Sequence, residues 1–162
     1  MSFLRHRRKH FRDAGSDWPD GDGYIYKEGL YEDEWVAGYS AGTATQGKDA
    51  TNLWIAINIL SSTAEKTWVS DGPVYLTASD KIKIDWQKGA GGTAAIVVST
   101  DKNGSYTVYT ARLTATDVSL RAVAELSLSG IASGDYYIRA HYVVPTKTNV
   151  NSTLRVYNIY KE

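Results

Sequence analysis

The stretch Lys81-Ile82-Lys83-Ile84-Asp85-Trp86-Gln87 alternates apolar and polar residues without a break. A strand turns successive side chains to opposite faces, so Ile82, Ile84 and Trp86 share one face and Lys83, Asp85 and Gln87 the other. A helix would scatter the same residues around its axis. Outward from this stretch, further short runs read as strands: Tyr24–Lys27, Glu34–Tyr39, Asn52–Leu60, Lys66–Ser70, Val74–Leu76, Ala94–Thr100, Tyr106–Arg112, Ser119–Leu128, Tyr136–Val144 and Thr153–Tyr160. In Thr153–Tyr160, Leu154, Val156, Asn158 and Tyr160 oppose Arg155, Tyr157 and Ile159. Turn formers separate several of these runs, among them Asp71-Gly72-Pro73 and Asp101-Lys102-Asn103-Gly104. About ten strands at spacings of about 8–12 residues, with no window of helical period, predict an all-β antiparallel sandwich.

The chain has 162 residues, enough for one domain with a sizeable core. Its 18 basic and 18 acidic side chains create no global field toward nucleic acid or membrane. Cysteine is absent, which removes disulfides, thiolate nucleophiles and cysteine–metal sites together. No apolar run approaches the roughly 20 residues of a membrane-spanning helix. The basic start is followed by no apolar segment of the secretory kind, so the expectation is synthesis in the cytoplasm without a signal peptide.

The neutral total hides an uneven distribution. Residues 1–12 carry Arg5, Arg7, Arg8, Lys9 and Arg12 with no acid, and residues 13–34 carry Asp13, Asp17, Asp20, Asp22, Glu28, Glu32, Asp33 and Glu34 against Lys27 alone. Blocks of like charge commonly act as interaction tails. The stretch Ala14–Gly23 is full of turn formers and reads as a linker, so the expected organisation is a basic arm over 1–12, an acidic, glycine-rich linker over 13–23 and the sandwich over 24–162. Arg5, Arg7, Arg8, Lys9 and Arg12, with Phe3, Leu4 and Phe11 as apolar anchors, form a candidate docking arm for an acidic groove on another protein. Nucleic acid is the less favoured partner, and folding back onto the acidic segment is the intramolecular alternative.

Few motifs carry chemistry. Gly38-Tyr39-Ser40-Ala41-Gly42 fits the serine-hydrolase pattern, but that chemistry needs a following helix, and Thr43-Ala44-Thr45-Gln46-Gly47-Lys48 is not one. It reads as a strand end and turn. His141 sits mid-strand between Ala140 and Tyr142 and reads as a core or cross-strand histidine. No metalloprotease, phosphate-loop or zinc spacing occurs, and no catalytic residue is assigned. Asp17, Asp20 and Asp22 with Gly21 and Gly23 form a fragment of a calcium loop that lacks the terminal glutamate, so calcium is a weak candidate beside a solvated acidic turn.

Twelve tyrosines and five tryptophans stand against two phenylalanines. Such rings pack a core or offer platforms to the apolar faces of pyranose sugars. Trp54, Trp68 and Trp86 lie in apolar runs and read as core. Tyr24, Tyr26, Tyr31, Tyr39, Tyr106 and Tyr109 lie near strand ends or loops and are the candidates for a glycan-binding surface.

From about Tyr24 onward the chain resembles a jelly-roll, carbohydrate-binding-like domain found in minor structural proteins of bacteriophages that infect Gram-positive hosts. The resemblance rests on Tyr24-Ile-Tyr-Lys-Glu-Gly29, Trp35-Val-Ala-Gly-Tyr39, Lys66-Thr-Trp-Val69, Lys81-Ile-Lys-Ile-Asp-Trp86, Val98-Ser-Thr-Asp-Lys-Asn-Gly-Ser-Tyr106, Asp135-Tyr-Tyr-Ile-Arg139 and Leu154-Arg-Val-Tyr-Asn-Ile-Tyr160. Proteins of that kind often begin with an arginine-rich head like Met1–Arg12. The resemblance implies a jelly-roll sandwich and a non-enzymatic virion protein on head or tail. Its arm would hold other virion proteins, its outer surface would meet host glycans, and it could form homo-oligomers. A free carbohydrate-binding module, or the accessory domain of a glycan-degrading enzyme, is the alternative.

Overall fold

The computed structural model describes residues 23–28 and 34–162. The basic arm, the linker before Gly23, the acidic triplet Asp17, Asp20 and Asp22, and Tyr31 lie outside the described residues. Ten strands and no helix make up the rest: β1 (Tyr24–Lys27), β2 (Trp35–Ala41), β3 (Thr45–Lys48), β4 (Leu53–Ser70), β5 (Val74–Leu76), β6 (Lys81–Lys88), β7 (Thr93–Ser99), β8 (Ala111–Ala115), β9 (Ala122–Ser127) and β10 (Gly134–Lys161). All pairings are antiparallel.

Two long strands organise the molecule. β4 and β10 pair with each other from Val69↔Arg139 to Leu53↔Val156. Midway the register shifts at Val144–Val150, and Ser61 takes a left-handed φ of 50°, its N–H bonded to Asn149 Oδ1 at 2.7 Å. These irregularities let the pair pass from one layer into the other. In the first layer the order is β2–β4–β10–β7–β8. In the second it is β3–β4–β10–β6–β9, with β1 joining the end of β10 beyond β4. The result is a jelly-roll-type sandwich, and β10 lies between partners in both layers.

The core is the space between the layers. Ile55, Ile57, Ile82, Ile84, Trp86 and Leu154 from the second layer meet Ile96, Val98, Ile138, Ala140 and Tyr142 from the first in one buried cluster. The alternation of Lys81–Gln87 is realised as expected, with Ile82, Ile84 and Trp86 at most 1% exposed. Trp68 is buried too, but Trp54 is not a core residue. It is half-buried on the outer face of the second layer, against Gly47 on β3, where an added Cβ would lie 2.4 Å from the indole.

Several boundaries differ from the sequence reading. Asn52–Leu60 and Lys66–Ser70 are one strand, because the polar stretch between them keeps pairing with β10 through the bend. Tyr136–Val144 and Thr153–Tyr160 are likewise one strand, bulged where Pro145 and its neighbours look like a turn. Thr45–Lys48, too short and polar to stand out, pairs with β4. Glu34–Tyr39 starts and ends later, and Ser119–Leu128 shortens to β9, leaving Leu120 80% exposed. A register shift between Val156 and Asn158 inverts the expected phase of the last strand, so Ile159 is buried and Asn158 bonds Asp85. Tyr106–Arg112 is not a strand: residues 100–110 form a loop, and pairing with β7 begins at Ala111.

Candidate functional site

The β7–β8 loop covers a part of the first layer that the sequence does not advertise as a site. On β10, Ile138, Ala140 and Tyr142 face the core, so Arg139, His141 and Val143 face away from it. Outward residues on a sandwich ordinarily meet water. Here Arg139 and His141 are both 0% exposed. Arg139 Nη1 donates to the Gly104 carbonyl and Nη2 to the Val108 carbonyl, which pins the loop at two points. Burial pulls the Arg139 guanidinium below its ordinary range, with Asp101 and Glu65 opposing.

Glu65 on β4 is the third anchor. Its Oε2 accepts the Tyr106 backbone N–H at 2.8 Å and His141 Nδ1 at 2.6 Å. A carboxylate can only accept here, so Nδ1 carries the imidazole proton, and Thr67 Oγ1 lies 2.8 Å from the same nitrogen. His141 Nε2 is buried without a hydrogen-bond partner among the described residues. Desolvation lowers the His141 pKa from its ordinary value and outweighs the opposing pull of Glu65. The histidine is therefore a neutral, cross-strand structural residue, as its mid-strand position suggested.

Above this cluster lies a groove of about 340 Å³. Tyr39 from β2 and Tyr106 from the loop line it, with Glu65, Val143 and Pro145 among its other walls. Tyr106 is held by more than its N–H: Arg112 Nη1 donates to its carbonyl at 2.9 Å, and the guanidinium lies 5.1 Å from its ring and 4.2 Å from that of Tyr109. The fold thus brings Tyr39 and Tyr106 to one groove, with Tyr109 at 48% exposure beside Arg112. Tyr24 and Tyr26 do not join them, and Tyr31 lies outside the described residues. Tyr26 is not a surface residue; it is 0% exposed and edge-on to Trp35, with centroids 6.2 Å apart. Tyr24 packs on Tyr160 at 5.4 Å, with Lys27 Nζ 4.5 Å from its ring.

A second groove, of about 470 Å³, lies on the opposite face of the sandwich, over β10 and the end of β6. Gln87, Asn151, Thr153, Arg155 and Tyr157 line it. Gln87 is oriented by donating Nε2 to the Ser119 carbonyl at 2.9 Å. Arg121 lies 3.8 Å over the Tyr157 ring and chelates Asp85, holding its own pKa above its ordinary range, chiefly through the hydrogen bonds to Asp85 and Glu28.

The hydrolase-like pentapeptide carries no nucleophile geometry. Ser40 lies on β2, its Oγ accepting from Lys66 Nζ at 3.2 Å, and Gly42 turns the chain with φ 69° where a side chain would strike the Thr63 carbonyl. Among the described residues no group of three acidic, histidine or cysteine side chains is placed to hold a metal.

No protein-family model matches the sequence, and no curated protein matches it. Solved structures do match in fold. The carbohydrate-binding module TmCBM61, solved in complex with β-1,4-galactotriose, superposes with a TM-score of 0.55 at 12% identity, over 86% of this chain and 97% of that one. The glycoside hydrolase domain of Endo-D from Streptococcus pneumoniae R6 gives 0.60 at 14% identity, over 79% of this chain and 21% of that chain. The enzymatically active domain of tailspike protein 4 from bacteriophage CBA120 gives 0.50 at 13% identity, over 85% of this chain and 21% of that one. The chain therefore has the β-sandwich fold of carbohydrate-binding modules. It spans about a fifth of the Endo-D and tailspike chains and nearly all of the module.

Proposed function

We propose that this protein is a non-catalytic saccharide-binding domain of a bacteriophage particle, and that it binds a neutral glycan in the groove of Tyr39 and Tyr106. The observation that carries the reading is the pairing of two tyrosines, 67 positions apart in the chain, over Glu65. Tyrosine rings pack against the apolar faces of a pyranose, and a carboxylate accepts its hydroxyl hydrogens. Glu65 Oε2 is occupied by the loop and His141, which leaves Oε1 without a partner among the described residues for that role. The same carboxylate selects against acidic sugars by repulsion. The loop's three anchors arrange Tyr106 before any ligand arrives, which limits the ordering cost of binding.

The particle assignment is supported by the basic head, Arg5 to Arg12, and by the likeness to a phage tailspike domain. A free module has no use for such a head, whereas a virion protein can dock with it on an acidic partner surface. Binding of soluble neutral β-glycans by the full chain, followed by calorimetry, tests the saccharide reading. Tyr106→Ala is expected to weaken binding about tenfold. Wild-type affinity in that variant and in Tyr39→Ala would overturn it. Loss of residues 1–12 is expected to abolish incorporation into particles while leaving the domain's thermal midpoint unchanged, and a full complement of truncated protein in particles would overturn the docking role.

A further inference from the structure

The two grooves differ in charge. Glu65 lines the first, whereas among the described residues no carboxylate lines the groove over β10 and β6. Two cations do line it. Arg155, exposed on β10, has no hydrogen-bond or ion-pair partner among the described residues. Lys88, at the end of β6, is 1% exposed, and its ammonium donates to the carbonyls of Gly89 and Gly91, at 2.8 and 2.9 Å, with the Tyr142 ring 5.9 Å away. A buried ammonium ordinarily sits beside a carboxylate. Of the acids near this face, Asp85 accepts from Arg121 and Asn158, and Asp117 accepts the Ser119 N–H at 3.4 Å. Burial lowers the Lys88 pKa, offset in part by Asp117. Asn151 and Thr153 add side-chain donors that no group among the described residues uses.

We propose that this second groove binds an acidic saccharide, with Arg155 taking the oxyanion of the sugar and Asn151 and Thr153 its neighbouring oxygens. Arginine suits the role because its planar fork meets a carboxylate or phosphate with two parallel hydrogen bonds. The proposal does not depend on the tyrosine groove, which lies on the opposite side of the sandwich.

The test is calorimetric titration of the full chain with a galacturonic acid trisaccharide, with its neutral galactose counterpart, and with inorganic phosphate. The acidic trisaccharide is expected to bind, to lose affinity as salt rises, and to outcompete the neutral sugar. Phosphate alone is expected to bind more weakly than the trisaccharide; if it matches the trisaccharide, the site recognises a free oxyanion and not a sugar. Arg155→Gln, at an exposed position that leaves the core intact, is expected to weaken the acidic sugar about ten- to a hundredfold. Tyr106→Ala is expected to leave it unchanged. Equal binding by wild type and Arg155→Gln would overturn the proposal and assign the anion to the basic residues 5–12. No binding of the acidic sugar at millimolar concentration would overturn it as well, leaving the tyrosine groove untouched.

Discussion

Glu65 holds the tyrosine loop to the sandwich, and its removal tests the architecture of the first groove. Glu65→Ala deletes two hydrogen bonds at once, the 2.8 Å bond from Tyr106 N–H and the 2.6 Å bond from His141 Nδ1. Both donate to a charged acceptor, and bonds of that kind contribute about 1.5–3 kcal/mol each when the partner group is left buried. The expected loss is therefore about 3–6 kcal/mol, a large share of the roughly 5–15 kcal/mol that holds a domain of this size folded. Glu65→Gln keeps an oxygen in place but removes its charge. Each bond then falls to the neutral value of about 1 kcal/mol, and the expected loss is about 1–4 kcal/mol. Urea unfolding followed by tryptophan fluorescence measures both. A loss below about 1 kcal/mol for Glu65→Ala would show that the loop is held by something else. Equal losses in the two variants would show that charge, and not the placement of an acceptor, anchors it.

Two further outcomes are expected. Trp86→Ala should cost roughly 3–5 kcal/mol, because the ring is 1% exposed between the layers; a loss below about 1 kcal/mol in the same assay would mean the opposite face of β6 is the buried one. His141 has a native pKa below its ordinary 6.5, so under pH 6.5 the unfolded chain binds a proton that the folded one refuses. That contribution should make stability fall with decreasing pH, by up to about 1.4 kcal/mol per unit, until the native pKa is reached, and should vanish above about pH 7. His141→Gln should lack this slope just below pH 6.5, and identical slopes in the two proteins would refute it.

The strands were legible where side chains alternate, as in Lys81–Gln87, because the core takes every second residue and water the rest. Their continuity was not. Ser61-Ser62-Thr63 and Pro145–Asn149 carry turn chemistry, and only the pairing of β4 with β10 keeps both in strands. That pairing joins residues some 70 to 100 positions apart, beyond the reach of any local pattern. Trp54 misled for a related reason: in Asn52–Leu60 nearly every residue is apolar, so the run does not show which face is inward. The tyrosine groove was legible in part. Tyr39 and Tyr106 stood out as tyrosines near strand ends, but their meeting depends on Arg139 and Glu65. The available signal was the run Tyr136-Tyr-Ile-Arg-Ala-His-Tyr-Val-Val144. Two titratable residues at alternate positions in an otherwise apolar strand imply that something covers its second face.

The place of β10 has a consequence for biosynthesis. It follows the other nine described strands in the chain and is the middle strand of both layers. Until Gly134–Lys161 emerges, β2 and β3 can pair with β4, β6 with β9 and β7 with β8, but nothing joins these fragments into a sheet. Each waits with an open edge of unpaired backbone groups, the condition in which nascent chains associate with one another. The sheet thus closes only once β10 has emerged, and the steps before that belong to whatever shields those edges in the cell.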